Sequence, residues 1–476
     1  MLVVVSDWHL TDATCTPTLP AGAMRVLGER LQDLAIRASW RADGRYRPVE
    51  AIDLLVNGDL FDFTRSTRWL TSSIRPWDSA ESPAFGETIA AIAGDIVRQN
   101  AESLALLRAL AEGAIRVPLA NLAGQPAPGE GQPIAVRIHY LVGNTDWYLR
   151  LPGAKFDAIR RQLLPAMALA ARPDAILPHD PAESDSILEV QRQHRVVARH
   201  GDIFDPLSYR EERSQASASD ALALELVTRY VAEASRELGD QLPPAALAGL
   251  RELHHLRPQL LATNFLTGML ERTCASPTLR AKAKRIWDRM VEDVLSLSIW
   301  REGDREGSSL LELAAKALRG ASAESVRHSL NELRGAHDDS YACHALFEPE
   351  FRNRRARYIV YGHTHAAETV PLDASFADGF VLNQMYCNTG TFRRVYRATQ
   401  SPLARHEFIP ADSLSLLALY QGDERQGRSL ESWSGMLSVH PAEGVITRFD
   451  GAQAGVMPAM HGARVGANVA AQAMRK

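Results

Sequence analysis

Residues 358–365 read Tyr358-Ile359-Val360-Tyr361-Gly362-His363-Thr364-His365. The short apolar run predicts a buried strand, and it ends in a glycine and two histidines one residue apart. Side chains alternate along an extended chain, which places His363 and His365 to point the same way from the strand's end. Imidazole nitrogens ligate zinc, manganese and iron. Taken alone, these residues read as readily as a pair of solvated surface histidines. Four upstream stretches, each a strand running into a polar turn, weigh against that.

The first is Leu2-Val3-Val4-Val5, a largely β-branched run of the kind buried on both faces, which leads into Ser6-Asp7-Trp8-His9. Residues 22–43 carry apolar positions at helical spacing and predict an amphipathic crossover helix. A second strand, Ala51–Val56, runs into Asn57-Gly58-Asp59-Leu60-Phe61-Asp62, and residues 86–113 predict one long helix. After a Pro/Gly-rich loop, Ile134–Val142 ends in Gly143-Asn144-Thr145-Asp146, and residues 155–171 read as helical. Ile187–Val190 and Arg195–Ala198 predict paired strands, the second entering Arg199-His200-Gly201-Asp202. Strands alternating with helices, with polar residues at the strand ends, predict an α/β sandwich whose ligand site lies at the carboxyl ends of strands.

From about Ser208 to Leu346 the pattern turns helical: 221–238, 245–255, 259–271, 279–297, 310–318 and 325–333, punctuated by Pro243-Pro244, Pro258, Pro277 and Gly303. The expected division is a core of residues 1–207 and 347–450, a helical insertion or cap over 208–346, and a loosely held tail over 451–476. His254-His255 in the insertion reads as a solvated helix face, because consecutive helix positions diverge by about 100°. Beyond the opening stretch, Gly379–Met385 predicts a strand running into a glycine turn at Tyr386–Phe392. Arg393–Tyr396 continues the sheet and Arg405–Pro410 adds an edge strand.

Composition narrows the class. The 476 residues are 46% hydrophobic and 23% charged, ordinary for a water-soluble globular chain. A net charge of -4 gives no general pull toward nucleic acid or anionic membrane. Cys15, Cys274, Cys343 and Cys387 lie far apart without a C-x-x-C pair and read as reduced thiols of an intracellular, cytoplasmic protein. Met1 leads straight into a strand, which argues against a signal peptide. No apolar run approaches the roughly 20 residues of a membrane-spanning helix, while peripheral membrane contact stays open.

Collected, the five stretches give Asp7-x-His9, Gly58-Asp59, Gly143-Asn144, His200-Gly201 and Gly362-His363-x-His365. Two carboxylates, an amide oxygen and four imidazoles suit two borderline divalent ions sharing one carboxylate. Two ions roughly 3.5–4 Å apart bind phosphoryl oxygens and generate a bridging hydroxide for in-line attack.

These five motifs, in this order over roughly 1–206 and 356–395, resemble the calcineurin-like metallophosphoesterases. The resemblance implies an αββα metallophosphoesterase β-sandwich with a large all-helical insertion. It implies two divalent ions (manganese, iron or zinc), one held by Asp7, His9 and His365, the other by Asn144, His200 and His363, with Asp59 bridging. Asp62 is implied to orient a ligand, and Asn388-Thr389-Gly390 is similar to the strand that follows the family's last motif. Asn144 and Asp146 complete the implied catalytic set.

One position departs: Thr145 stands where the family's third motif usually carries a histidine that protonates the leaving oxygen. A threonine hydroxyl does not titrate near neutral pH, so leaving groups of low pKa, such as a phosphate or nucleotide, are favoured. His139 and Tyr148 are the nearby alternative donors. In pattern the chain is closest to the UDP-2,3-diacylglucosamine pyrophosphohydrolase group, which also replaces that histidine and carries a helical lid. Arg65, Arg68 and Arg150 are placed to clamp a second phosphate, although each singly reads as a solvated surface arginine.

The expected function is hydrolysis of a phosphoester or pyrophosphate bond in a phosphorylated small molecule or nucleotide-linked substrate. A superfamily nuclease is the first alternative, disfavoured by the acidic charge, the missing histidine and the shortness of the basic run Arg352–Arg357. A non-catalytic metal-binding scaffold is the second, and Thr145 alone favours it.

Overall fold

Each residue of Leu2–Val5 (β1) is buried, as an uninterrupted apolar run requires. The strand pairs in parallel with Ala51–Asn57 (β2), which pairs in parallel with Ala135–Leu141 (β3). The computed structural model describes residues 1–170, 172, 175–209, 211–300, 305–377, 380–398, 408–439 and 446–449.

A second sheet is built from Val196–Ala198 (β4), Tyr358–Tyr361 (β5), Ala367–Ala377 (β6) and Phe380–Thr389 (β7), in the order β4-β5-β7-β6. Its first two pairings are parallel and the last antiparallel. On the other side of β1, Arg394–Ala398 (β8) and Phe408–Leu419 (β9) extend the first sheet antiparallel. One apolar cluster joins Leu2, Val4, Leu55 and Leu417 of the first sheet to Val196, Tyr358, Val360 and Cys387 of the second. The two sheets therefore share a core face to face, as stacked sheets with alternating inward residues do. All parallel strands run the same way, so the turns after β1, β2, β3, β4 and β5 gather at one end.

The chain is thus a mixed α/β protein, as expected, and four elements differ from expectation. Ile187–Val190 is not a strand but lies in the helix Asp185–Gln193, capped by the Ser184 hydroxyl, with Ile187, Val190 and Gln191 buried. Apolar residues three apart behind a serine cap outweigh β-branched composition in so short a segment. The long helix of 86–113 is interrupted: Pro83–Gln99 ends at Asn100, whose side-chain amide donates to the carbonyls of Ile96 and Thr11, and a new helix begins at Ala101. The helix at 155–171 ends at Leu163 and tightens to a 3-10 turn through Met167. The strand expected at 405–410 runs from Phe408 to Leu419, pairing with β8 over residues 408–412 and with β1 over 417–419; residues 405–407 lie outside the described residues.

Residues 208–346 carry helices at every predicted stretch, including Arg229–Leu238, Pro244–Arg251, Ala262–Thr273, Pro277–Leu295 and Ala323–Leu333. They enclose an apolar cluster of their own around Trp287, Trp300 and Leu266, which also takes in Phe408 of β9. Phe265 meets Tyr396 and Phe408 edge-on at centroid distances of 5.0 and 5.4 Å, so the helices pack onto the first sheet. The helical segment belongs with both sheets to one compact unit, Met1–Ser434. In the second unit, Gly435–Lys476, Met436–Val439 pairs antiparallel with Ile446–Phe449, and the expected tail over 451–476 lies outside the described residues. Among the described residues no helix is long and apolar enough to cross a membrane. All four cysteines are free.

Candidate metal centre

The polar turns meet where the parallel strands end. Asp7 and His9 follow β1, Asp59 follows β2, and Asn144 follows β3. His200 follows β4, and His363 and His365 follow β5. Two groups of ligand-type atoms form, Asp7 with His9 and His365, and Asp59 with His200 and His363, each with its atoms within 4.8 Å of one another. Asn144 joins the second, its Oδ1 lying 3.2 Å from His200 Nε2. Asp59 Oδ2 lies 3.4 Å from His200 Nε2 and 3.6 Å from His9 Nε2, which places it between the groups.

The backbone is strained to achieve this. Of eleven described non-glycine residues with positive φ, five are Asp7, His9, Asp59, His363 and His365. Left-handed conformations cost of order 1–3 kcal/mol for such residues and persist where the surroundings over-determine them, commonly at functional sites. Close approach also dictates two glycines. A Cβ on Gly58, at φ +92°, would sit 2.2 Å from His200 Nδ1, and one on Gly143 would sit 2.3 Å from Asp59 Oδ1.

Outer partners fix which nitrogen each histidine presents. His9 Nδ1 donates to Asp62 Oδ2 at 3.1 Å and His200 Nδ1 donates to the Asn57 carbonyl at 3.0 Å, leaving each Nε2 facing the centre. His363 Nε2 is held by Asp205 at 3.1 Å. Asp62 is itself anchored by Arg65, through its backbone N–H at 3.0 Å and a guanidinium contact at 2.9 Å. Asp7 Oδ2 accepts from Ser6 and from the His363 N–H, whereas its buried Oδ1 has no hydrogen-bond partner.

Electrostatics follow from burial and charge. Burial opposes the charge on Asp59, but His200 and His9 outweigh it and hold the carboxyl well below its usual range. Burial raises Asp7 to about 6, against the lowering effect of His200. Burial also lowers His9 to about 4, and it pushes His365 well below the ordinary imidazole value with Arg257 adding to the effect. For His200 burial acts the same way, yet the neighbouring Asp59 prevails and raises it to about 10.

The remaining candidates fall in several places. Thr145 borders the centre, donating its hydroxyl to the Phe61 carbonyl at 2.9 Å and its backbone N–H to Asp59 Oδ1 at 2.9 Å. Asp146 is fully buried, and it accepts from Gly143 N, Leu60 N and the Tyr140 hydroxyl, which fastens the loop carrying Asn144 to the loop carrying Asp59. His139 is bonded to Asp53 at 2.9 Å within the sheet, and Tyr148 is buried between Trp147 and Phe63. Of the three arginines, Arg65 is buried against Asp62, contrary to the surface reading, because the strand-end turn folds it inward. Arg68 pairs with Asp95 and Arg150 with Glu183. His254 is not on a solvated face: it is fully buried in the 3-10 turn Glu252–His255.

A cleft of about 300 Å³ opens on the centre. One side is formed by the ligand turns, including His9, Asp59, Asn144 and His365. The other is formed by the helical segment, including Ala223, Arg257, Leu261 and Leu330. The sequence reading missed Asp205, Arg257 and Arg393. Asp205 follows the fourth motif by only a few residues and was open to recognition. Arg257 comes from a segment with no motif, and Arg393, which donates to the His9 carbonyl at 2.8 Å, reads as an ordinary strand residue. No protein-family model and no curated protein matches the chain.

Proposed function

We propose that the protein is a two-metal phosphoesterase with the metallophosphoesterase fold, hydrolysing a phosphoester or pyrophosphate bond in a small substrate. The observation that carries the reading is the meeting of two ligand groups at strand ends drawn from both sheets, with Asp59 between them. The residues fit divalent cations. Asp7 Oδ1 is buried without a hydrogen bond, 3.3 Å from His365 Nε2 and 3.8 Å from His9 Nε2, an arrangement a cation would satisfy. Asp7, His9 and His365 would hold one ion and Asn144, His200 and His363 the other, with Asp59 serving both. Such ions polarise phosphoryl oxygens and acidify water.

The chain's own residues do the rest. Asp62 and the Asn57 carbonyl orient His9 and His200, and Asp205 steadies His363. Hydrolysis joins a water oxygen to phosphorus as the bond from phosphorus to the leaving oxygen breaks. The Thr145 hydroxyl proton is engaged by the Phe61 carbonyl, so Thr145 offers no proton to the leaving oxygen. That supports substrates whose leaving group is stable as an anion. A cleft of about 300 Å³ supports a small-molecule substrate over a nucleic-acid duplex.

The test is elemental analysis of the purified protein followed by a panel of phosphoesters with added manganese. About two ions per chain and metal-dependent hydrolysis are expected. No bound metal and no activation by manganese would overturn the reading.

A further inference from the structure

His365 Nε2 has two claimants. It lies 3.3 Å from Asp7 Oδ1 and 3.0 Å from His9 Nε2, so it is the nitrogen that the group of Asp7, His9 and His365 offers to a cation. Arg257 already engages it, donating Nη2 at 3.1 Å. A neutral imidazole nitrogen without a proton carries one lone pair, which accepts from a donor or ligates a metal but does not do both.

Arg257 reaches the centre from the helical segment. Its backbone N–H donates to the Tyr396 carbonyl at 3.1 Å, which ties the chain at this point to the first sheet and leaves the side chain as the part that can move. Nη1 donates to the Leu256 carbonyl at 2.8 Å and to the His254 carbonyl at 3.3 Å. Three other arginines of the cleft are paired with carboxylates: Arg65 with Asp62, Arg334 with Asp205 and Arg327 with Asp339. Arg257 has no carboxylate within ion-pair distance among the described residues. The acidic charges that act on it are those of Asp7 and Asp59, the two carboxylates of the ligand groups. A cation carried by the helical segment thus sits at the edge of the centre, bonded to one ligand nitrogen and attracted by both ligand carboxylates.

Resting on the two-metal reading above, we infer that Arg257 is a tethered cation that competes with a divalent ion for His365, so that the helical segment sets how readily this site is loaded. When the site is loaded, Arg257 gives up His365 Nε2 and its charge then lies near a divalent charge of the same sign. The guanidinium lines the cleft, so once displaced it faces the space an oxyanion would enter. An oxyanion that accepts from Arg257 relieves the repulsion. Metal and oxyanion therefore bind cooperatively, each raising the affinity for the other. Arg257 is a positioning residue that acts through His365 and takes no part in proton transfer.

The test is calorimetric titration of EDTA-stripped protein with manganese in phosphate-free buffer. Arg257→Ala and Arg257→Met should bind manganese roughly tenfold or more tighter than wild type, because no hydrogen bond to a charged donor has to be given up. Arg257→Lys keeps the charge without the planar donor set and should fall between. A gain in affinity is a readout that misfolding does not produce. Added inorganic phosphate should tighten manganese binding more in wild type than in Arg257→Met, where it acts on the metals alone. Unchanged or weaker manganese binding in both neutral variants overturns the competition. An equal effect of phosphate on wild type and Arg257→Met overturns the cooperativity. Absence of manganese binding in wild type and every variant overturns the competition and the phosphoesterase reading together. Binding without hydrolysis of any ester overturns only the phosphoesterase reading, and the affinities still decide the role of Arg257.

Discussion

The Nε2 atoms of His9 and His365 face each other at 3.0 Å. His9 gives its Nδ1 proton to Asp62, which leaves a lone pair on its Nε2, while the lone pair of His365 Nε2 accepts from Arg257. Burial lowers the pKa of both rings, so neither relieves the contact by becoming charged near neutral pH. The His9 Nε2 lone pair and the unpartnered Asp7 Oδ1 are buried acceptors without a donor, which a cation would satisfy. Metal binding is therefore expected to stabilise the fold as well as arm it, because a ligand that binds only the native state adds to its stability. Thermal unfolding with EDTA and with manganese should separate by several degrees.

Asp59→Asn is expected to do the most damage. Its carboxylate lies between His9 and His200, and an amide there supplies no charge to hold two cations together. Metal content should fall from about two ions per chain to fewer than one, and hydrolysis by at least roughly 100-fold. Full metal occupancy in the variant would refute a shared carboxylate.

Gly58→Ala tests the backbone beneath the centre. The added methyl would lie 2.2 Å from His200 Nδ1 at a residue with φ +92°. Strain and collision together should cost about 1–3 kcal/mol in urea unfolding, and His200 should be displaced enough to weaken metal binding. Gly153→Ala has comparable φ (+109°) with open space around its Cβ, so it isolates the conformational cost and should leave metal content intact.

A pH-dependent contribution comes from within the first sheet. Burial would raise Asp53, but hydrogen bonds from His139 and Arg137 prevail and hold it at about 2. A carboxyl depressed in the folded state stabilises above its unfolded value, near 4, and the contribution is lost as pH falls through the folded value. The shift corresponds to about 2 kcal/mol, which solvent screening at the half-exposed Arg137 reduces to about 1 kcal/mol. Urea unfolding of Asp53→Asn against wild type should show that difference at pH 7 and roughly half of it at pH 3. A difference independent of pH would mean that packing, not charge, holds Asp53.

Much of the site was legible because each ligand sits directly after a buried apolar run, and strand plus turn is a local signal. Asp7, Asp59, Asn144, His200 and His365 needed no long-range knowledge to be placed at strand ends. What local reading could not supply was which distant segments touch. Arg257 lies in a helical segment without motif residues, and only the backbone contact with Tyr396 brings it to the cleft. The burial of His254 comes from tertiary packing of its 3-10 turn, which the local sequence pattern does not carry. Ile187–Val190 failed because four residues are too few to separate a strand from one buried helical turn.

Thr145→His asks whether the centre works without a proton donor. The Thr145 hydroxyl donates to the Phe61 carbonyl, and neither His139 nor Tyr148 lines the cleft, so among the described residues none of these three supplies the leaving oxygen with a proton. Wild-type rates should therefore fall steeply as leaving-group pKa rises, with aryl phosphodiesters and pyrophosphates turned over and alkyl esters poor. An imidazole at position 145 would share its loop with Asn144 and lie 3.5 Å or so from His9, where the threonine hydroxyl now contacts that ring. General acid help is typically worth about 10²–10⁴-fold, and most of it should appear on the poorest leaving groups. Asp146 is already saturated by Gly143, Leu60 and Tyr140, so it is not free to orient the new ring, which places the gain near the lower end. The measurement is kcat/KM across an ester series for wild type and variant, plotted against leaving-group pKa. A flatter slope in the variant supports a missing acid at this position; parallel lines would mean that the proton comes from solvent at no cost to the rate.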